Sequence, residues 1–328
     1  MRISDLVRFG KILATATLVG CAGLRGGVTP PVTTPQGGMA RASTRGGSWM
    51  ARGLKQRALL YVSNANRTVS VYRYWQHTLV GVLTKFMTPM GECADEAGNV
   101  YITDRRAREI DEYAHGGKSP IAVLLDERYP EGCAVDPVSG DLGVANYQRG
   151  SISVYPANGG SPRLYLASTS DHFTSCAYDD HGDLLVMSYY SYSYGSVIKF
   201  YYLPQHGAQL LLVRLRPRHS GYGTGEGVAW DGKYWVVESS RVLSRFTINA
   251  RAKYIDSIRL SGAYIPTAPI AIYRKTSKSL GTQVVGAATA AYKSAIEYWS
   301  YPMGGKPVGD IAKDLDAPYG IAISMRSQ

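Results

Sequence analysis

The chain has 328 residues, 45% of them hydrophobic, and a formal net charge of +11. That much apolar material excludes a wholly disordered protein and suffices for one large or two ordinary packed domains. The charge invites a nucleic-acid role, but its distribution argues against one: residues 1–20 carry a net +2, residues 21–57 a net +6 with no acid, and residues 58–328 only +3. With 25 Tyr against 5 Phe, and 36 Gly, the composition suits β-strands with one wet face and many tight turns.

Arg2, Arg8 and Lys11 form a positive leader, followed by a short apolar run from Ile12 to Val19. The run is too short to span a bilayer as a helix, and it reads as an export signal over 1–20. It ends in Leu18-Val19-Gly20-Cys21, which resembles the bacterial lipobox. The resemblance implies a diacylated Cys21 as the mature N-terminus. It also implies an exported protein held at the cell envelope, at the outer membrane or cell surface, by its lipid. Residues 21–57 are rich in Gly, Pro, Thr, Ser and Arg and read as a flexible tether.

From residue 58 the chain becomes a series of short apolar runs. Ala58–Asn64, Val69–Tyr72 and Val80–Leu83 look like the second, third and fourth strands of a unit that lacks its first. A repeated pattern then begins at Pro89-Met90-Gly91-Glu92-Cys93-Ala94-Asp95, followed by a turn and Val100–Asp104. The clearest copy is Pro130-Glu131-Gly132-Cys133-Ala134-Val135-Asp136, with strands at Leu142–Asn146, Ser151–Tyr155 and Leu164–Leu166. The key position recurs at 91, 132, 175, 227, 269 and 320, with spacings of 41, 43, 52, 42 and 51. Four short strands at a period of 40–50 residues are the mark of a β-propeller. The final copy, 318–324, is a first strand with nothing after it. The expected fold is therefore all-β, a six-bladed β-propeller over 58–328, closed by pairing the C-terminal strand (318–324) with the N-terminal blade (58–83). Gly116-Gly117, Gly159-Gly160 and Gly304-Gly305 each follow a tyrosine at the end of a third strand and are expected in turns with positive φ.

The pattern Pro-x-Gly-x-x-x-Asp, a turn, then apolar-Tyr-Val-x-Asp/Asn resembles the NHL-repeat propellers and the related gluconolactonase-like group. The resemblance covers residues 58–328 and rests on structural positions. It implies architecture more than activity. Two functions follow as expectations: a binding scaffold that presents one propeller face, or a metal-dependent lactonase or hydrolase of the gluconolactonase-like kind. The second would hold a single divalent cation at the channel mouth; no other cofactor is expected.

Loops entering a first strand and loops leaving a second strand share one end of a propeller. That face should carry Glu131 and Glu226 near the channel, with Arg105, Arg149 and Arg241 in the turns after second strands and Tyr190 and Tyr192 in the fourth blade. A rim of basic and aromatic side chains suits an acidic protein, peptide or envelope polysaccharide. The protein is expected to act as a monomer and to bind no nucleic acid. Asn64, Asp104 and Asn146 recur at equivalent places and are expected to fix turns. Strand alternation points Cys93 to the opposite face of its blade from Cys133 and Cys176. Cys93 and Cys133 of adjoining blades can thus form a disulfide, the alternative being three small buried hydrophobes. The six histidines recur at no repeat position and are expected in solvated turns.

Overall fold

The computed structural model describes residues 47–326, apart from 55–56, 168–170, 193–194, 218–226, 240, 250, 263–268, 274–282 and 291–292. The expected signal, Cys21, most of the arm and Glu226 lie outside the described residues.

Blade 1 contains β1 (Trp49–Met50), β2 (Leu59–Asn64), β3 (Val69–Arg73) and β4 (Thr78–Leu83). Blade 2 is β5 (Pro89–Ala94), β6 (Val100–Asp104), β7 (Glu109–Tyr113) and β8 (Pro120–Leu125). Blade 3 is β9 (Pro130–Val135), β10 (Leu142–Asn146), β11 (Ser151–Tyr155) and β12 (Arg163–Leu166). Blade 4 is β13 (His172–Tyr178), β14 (Leu184–Tyr192), β15 (Gly195–Leu203) and β16 (Leu211–Val213). Blade 5 is β17 (Val228–Trp230), β18 (Trp235–Ser239), β19 (Val242–Ile248) and β20 (Ala252–Arg259). Blade 6 is β21 (Ala271–Tyr273), β22 (Gln283–Ala290), β23 (Lys293–Ser300) and β24 (Gly309–Ile311), and β25 (Pro318–Ser324) returns to blade 1. All six sheets are antiparallel, and β25 pairs β2 from Leu59↔Ser324 to Asn64↔Pro318, so the ring closes as the two chain ends foretold.

The inner strands are not wet on one face, as composition suggested. Every residue of β2 is buried. Blades stack face to face, so alternate side chains enter two different cores. Leu59 and Tyr61 pack with Val100 and Ile102 of blade 2, whereas Leu60 and Val62 pack with Ile296 and Tyr298 of blade 6. One such cluster fills each of the six interfaces between neighbouring blades. Tyrosine serves these interfaces because its ring packs while its hydroxyl reaches a loop at the blade edge. The Tyr155 hydroxyl donates to Leu125 O at 2.8 Å, and that of Tyr72 to Lys313 O at 2.9 Å.

Close approach at the axis depends on small residues. A Cβ on Gly132 would lie 2.7 Å from Thr174 O, and one on Gly320 would collide with Met90 O. Gly116, Gly159, Gly160, Gly304 and Gly305 have the expected positive φ; Gly117 does not. The arm also ends earlier than residue 57. Trp49–Met50 adds a fifth strand to blade 1, beside β4, and Leu54 is buried against Leu59 and Phe86. These few apolar residues in a polar stretch cover an edge that would otherwise be open.

Cys93 and Cys133 are joined across blades 2 and 3, with an S–S distance of 2.07 Å and a Cα–Cα distance of 5.6 Å. The glycine-lined approach of inner strands brings them well inside the usual 10 Å spacing of stacked sheets. Cys176 is a buried free thiol.

Candidate functional site

Two of the three recurring Asx residues, Asp104 and Asn64, tie together the face formed by the loops before first strands and after second strands, whereas Asn146 bonds only Ser151 and Ser153 of its own hairpin. Asp104 accepts the amides of Met87 (2.6 Å) and Thr88 (2.8 Å) from one loop and Ala107 (3.1 Å) from the other. Asn64 takes the Asp316 amide at 3.0 Å. These side chains therefore reach beyond their own turn and fasten two loops of the face to each other. On this rigid base the turn residues are held in fixed positions.

Arg105, the first residue of the turn after β6, reaches across to blade 3. Its Nη1 donates to Glu131 Oε2 at 3.0 Å and Oε1 at 3.2 Å. The guanidinium lies over the Tyr147 ring, 5.1 Å from its centre, and the same ring stacks on His172 at 4.1 Å, nearly parallel at 10°. His172 Nδ1 is 2.6 Å from Tyr147 O, which fixes the imidazole. Next to it Asp171, fully enclosed, accepts from Lys199 Nζ at 2.9 and 3.0 Å and from the Tyr201 hydroxyl at 2.6 Å. Blades 2, 3 and 4 thus share one continuous arc of cations, rings and buried carboxylates. A second pair lies nearby: Arg108 Nη2 donates to the Tyr129 hydroxyl at 2.7 Å, its guanidinium 4.7 Å from the ring centre.

Arg105 and Glu131 are brought into contact, and Arg149 sits in the same turn as Tyr147. Arg241 lies in blade 5, away from the arc. Tyr190 and Tyr192 are not in a turn: β14 runs to Tyr192, pairing Tyr190 with Val197 and Tyr192 with Gly195. The Tyr-Ser alternation there has the period of a strand. Three of the six histidines are half-buried and partnered rather than free in solvent. His172 is stacked as described, His77 stacks on Tyr298 at 4.3 Å, and His115 meets Ser324 Oγ at 2.6 Å. Among the described residues no group of three or more His, Cys, Asp or Glu is placed to hold a metal.

On the axis, the six inner walls enclose a cavity of about 60 Å³ lined by Gly91, Glu92, Gly132, Ser175 and Gly320 among others. Glu92 Oε1 accepts from Ser63 Oγ at 2.5 Å, and Oε2 has no protein partner. Burial pushes the Glu92 carboxyl up to about 8, opposed by the Ser63 hydrogen bonds. Burial also pushes Glu131 up to about 7, outweighing the pull of Arg105. In both cases the folded state binds its proton more tightly than the unfolded chain does. Their contribution to stability is complete below the ordinary carboxylate range and is lost as pH rises toward 7–8. Denaturant unfolding should therefore give a free energy that falls between about pH 4.5 and about pH 8. Glu92→Gln should flatten that slope and raise stability at pH 8. An unchanged slope in the variant would show that Glu92 does not carry it.

No family model matches the chain, and no curated protein does. Solved structures do. A chain of the nidogen/laminin complex superposes with a TM-score of 0.61 at 15% identity, covering 83% of this chain and all of that one. A protein of unknown function from Bacteroides caccae gives 0.59 at 11% identity, covering 82% of this chain and 99% of that one. The dihydro-heme d1 dehydrogenase NirN, in complex with DHE, gives 0.50 at 13% identity over 81% of this chain and 56% of that one. At these identities the likeness establishes the propeller fold alone.

Proposed function

We propose that this propeller is of the NHL type and acts as a binding scaffold, exported and anchored at the cell envelope through a lipid on Cys21, and that it presents the face bearing Arg105 and Tyr147 to a protein partner. The observation that carries this reading is the Arg105–Tyr147–His172 stack braced by Glu131. Its side chains are fixed by one another before any partner arrives, so little ordering entropy is lost on binding. Arginine and tyrosine are also the residue types that most often anchor protein interfaces. The nidogen/laminin complex offers an example of this fold in a protein assembly.

On the hydrolase reading Glu131 or Glu226 would help hold the cation, and of these the Glu131 carboxylate is paired with Arg105. The two readings separate in one experiment. Protein purified from its envelope after crosslinking should carry a partner that Arg105→Ala releases, with affinity reduced at least tenfold, while the melting temperature moves by only a few degrees. A partner retained by Arg105→Ala, together with one tightly held divalent cation per chain that Glu131→Ala or Glu226→Ala removes, would favour the hydrolase instead. Anchoring has its own check: Cys21→Ser should move the protein from the membrane fraction to the soluble one.

A further inference from the structure

The turns of this face over blades 2 and 3, with the loops that enter those blades, have an unusual backbone. Lys85, Arg108 and Arg149 all have positive φ, at 81°, 61° and 64°. That region favours Gly and Asn and penalises a side chain with a Cβ. Turn geometry alone would favour Gly or Asn at each place, so long cationic side chains stand there at some cost to the backbone.

The acids of the same loops do not neutralise these cations. Asp104 is turned inward onto three backbone amides. Asp126 is buried, accepting from the Tyr155 hydroxyl at 3.1 Å and the Arg128 amide at 3.0 Å. Glu131 is taken by Arg105. Among the described residues of these loops, Glu127 is the acid left exposed, against Lys85, Arg106, Arg108 and Arg149. At the far side of blade 1 the array ends, because Asp314 and Asp316 are exposed beside that blade's turn. Arg108 is oriented by Tyr129, so its remaining N–H groups are presented in a fixed fork suited to a carboxylate.

We infer that the partner engages this face through an acidic, glutamate- or aspartate-rich segment lying in extended form across the turns of blades 2 and 3, with Arg106, Arg108 and Arg149 pairing its carboxylates. This rests on the scaffold reading above and names the chemistry of the partner.

The probe is a fluorescein-labelled peptide of alternating glutamate and glycine, titrated with the full chain by fluorescence anisotropy at low and moderate salt. The variants are Arg106→Gln, Arg108→Asn and Arg149→Asn, singly and together. Asn suits positive φ, so Arg108→Asn and Arg149→Asn should melt at the wild-type temperature or above, which separates binding from folding. Each single change should weaken binding a few-fold, and the triple change at least tenfold with a shallower salt dependence. Arg251→Gln, in a turn of blade 5 at the opposite end of the propeller, should leave binding as it is. Equal peptide affinity in wild type and triple variant would overturn the inference, as would binding of a polyuronate but not the peptide. If the envelope partner is released by Arg105→Ala yet unaffected by the triple change, the scaffold stands and the acidic segment fails.

Discussion

Deleting residues 318–328 should abolish cooperative folding. β25 is the inner strand of blade 1, paired to β2 along its whole length. It also supplies Ala322 to the core shared with blade 2 and Ile321 to the core shared with blade 6. Without it two of the six interfaces lose their inner wall, and β2 presents an unpaired edge at the axis. The energetic loss is not confined to six residue pairs, since a ring cannot open at one seam without exposing both neighbours. The truncated chain should show no sharp thermal transition by circular dichroism and should aggregate on a sizing column. A synthetic peptide spanning 314–326, supplied in trans, should restore a transition. A milder test is Gly320→Ala, whose methyl would collide with Met90 O in the next blade. Overpacking against backbone that cannot yield should cost roughly 3 kcal/mol in denaturant unfolding. If the truncated chain melts like the full one, closure by β25 is not what holds the ring.

The propeller was legible because its repeat is written in residues whose role is local. The Gly at the axis, the Asp before the turn and the alternating apolar strand recur whatever the blade later does. Ring closure could be read from the half-units at the two ends, since a second strand without a first and a first without a second imply each other. β1 was not legible: two residues, Trp49 and Met50, give no period, and their strand exists only because β4 offers an edge. The rim was half legible. Arg105 and Glu131 were placed on one face by topology, but their pairing depends on the angle between blades. The stack of Tyr147 on His172 joins a turn of blade 3 to the first strand of blade 4, which no single-repeat pattern encodes. The positive φ of Arg108 and Arg149 leaves no mark in the sequence, because the residue types usually betraying that conformation are the ones not used.

The bridge between Cys93 and Cys133 should contribute about 4 kcal/mol in a chain-entropy account, given its sequence separation of 40. Replacing both by Ala should lower the unfolding free energy by roughly 2–4 kcal/mol, and a reductant should bring wild type down to the variant. Identical midpoints for oxidised and reduced wild type would show that the neighbouring blades alone fix β5 to β9. The repeat extends the argument to a position with no bridge. Counted from the key residue of each blade, Cys93 is two positions after Gly91, and its partner Cys133 is one position after Gly132 in the next blade. Moving one blade onward gives Ala134 and Cys176, and these two already share the core between blades 3 and 4. If successive interfaces have the same geometry, Ala134→Cys should form a second bridge with the buried thiol. The thiol count of the unfolded, unreduced protein should then fall by one relative to wild type, although a cysteine has been added. The melting temperature should rise under oxidising conditions only. A count that rises by one would mean that β9 and β13 approach each other differently from β5 and β9. The glycines allow for this: Gly91 faces Gly132, where neither residue has a side chain, whereas Gly132 faces Ser175, whose Cβ must be accommodated. The experiment thus measures how far the repeat in sequence is a repeat in space.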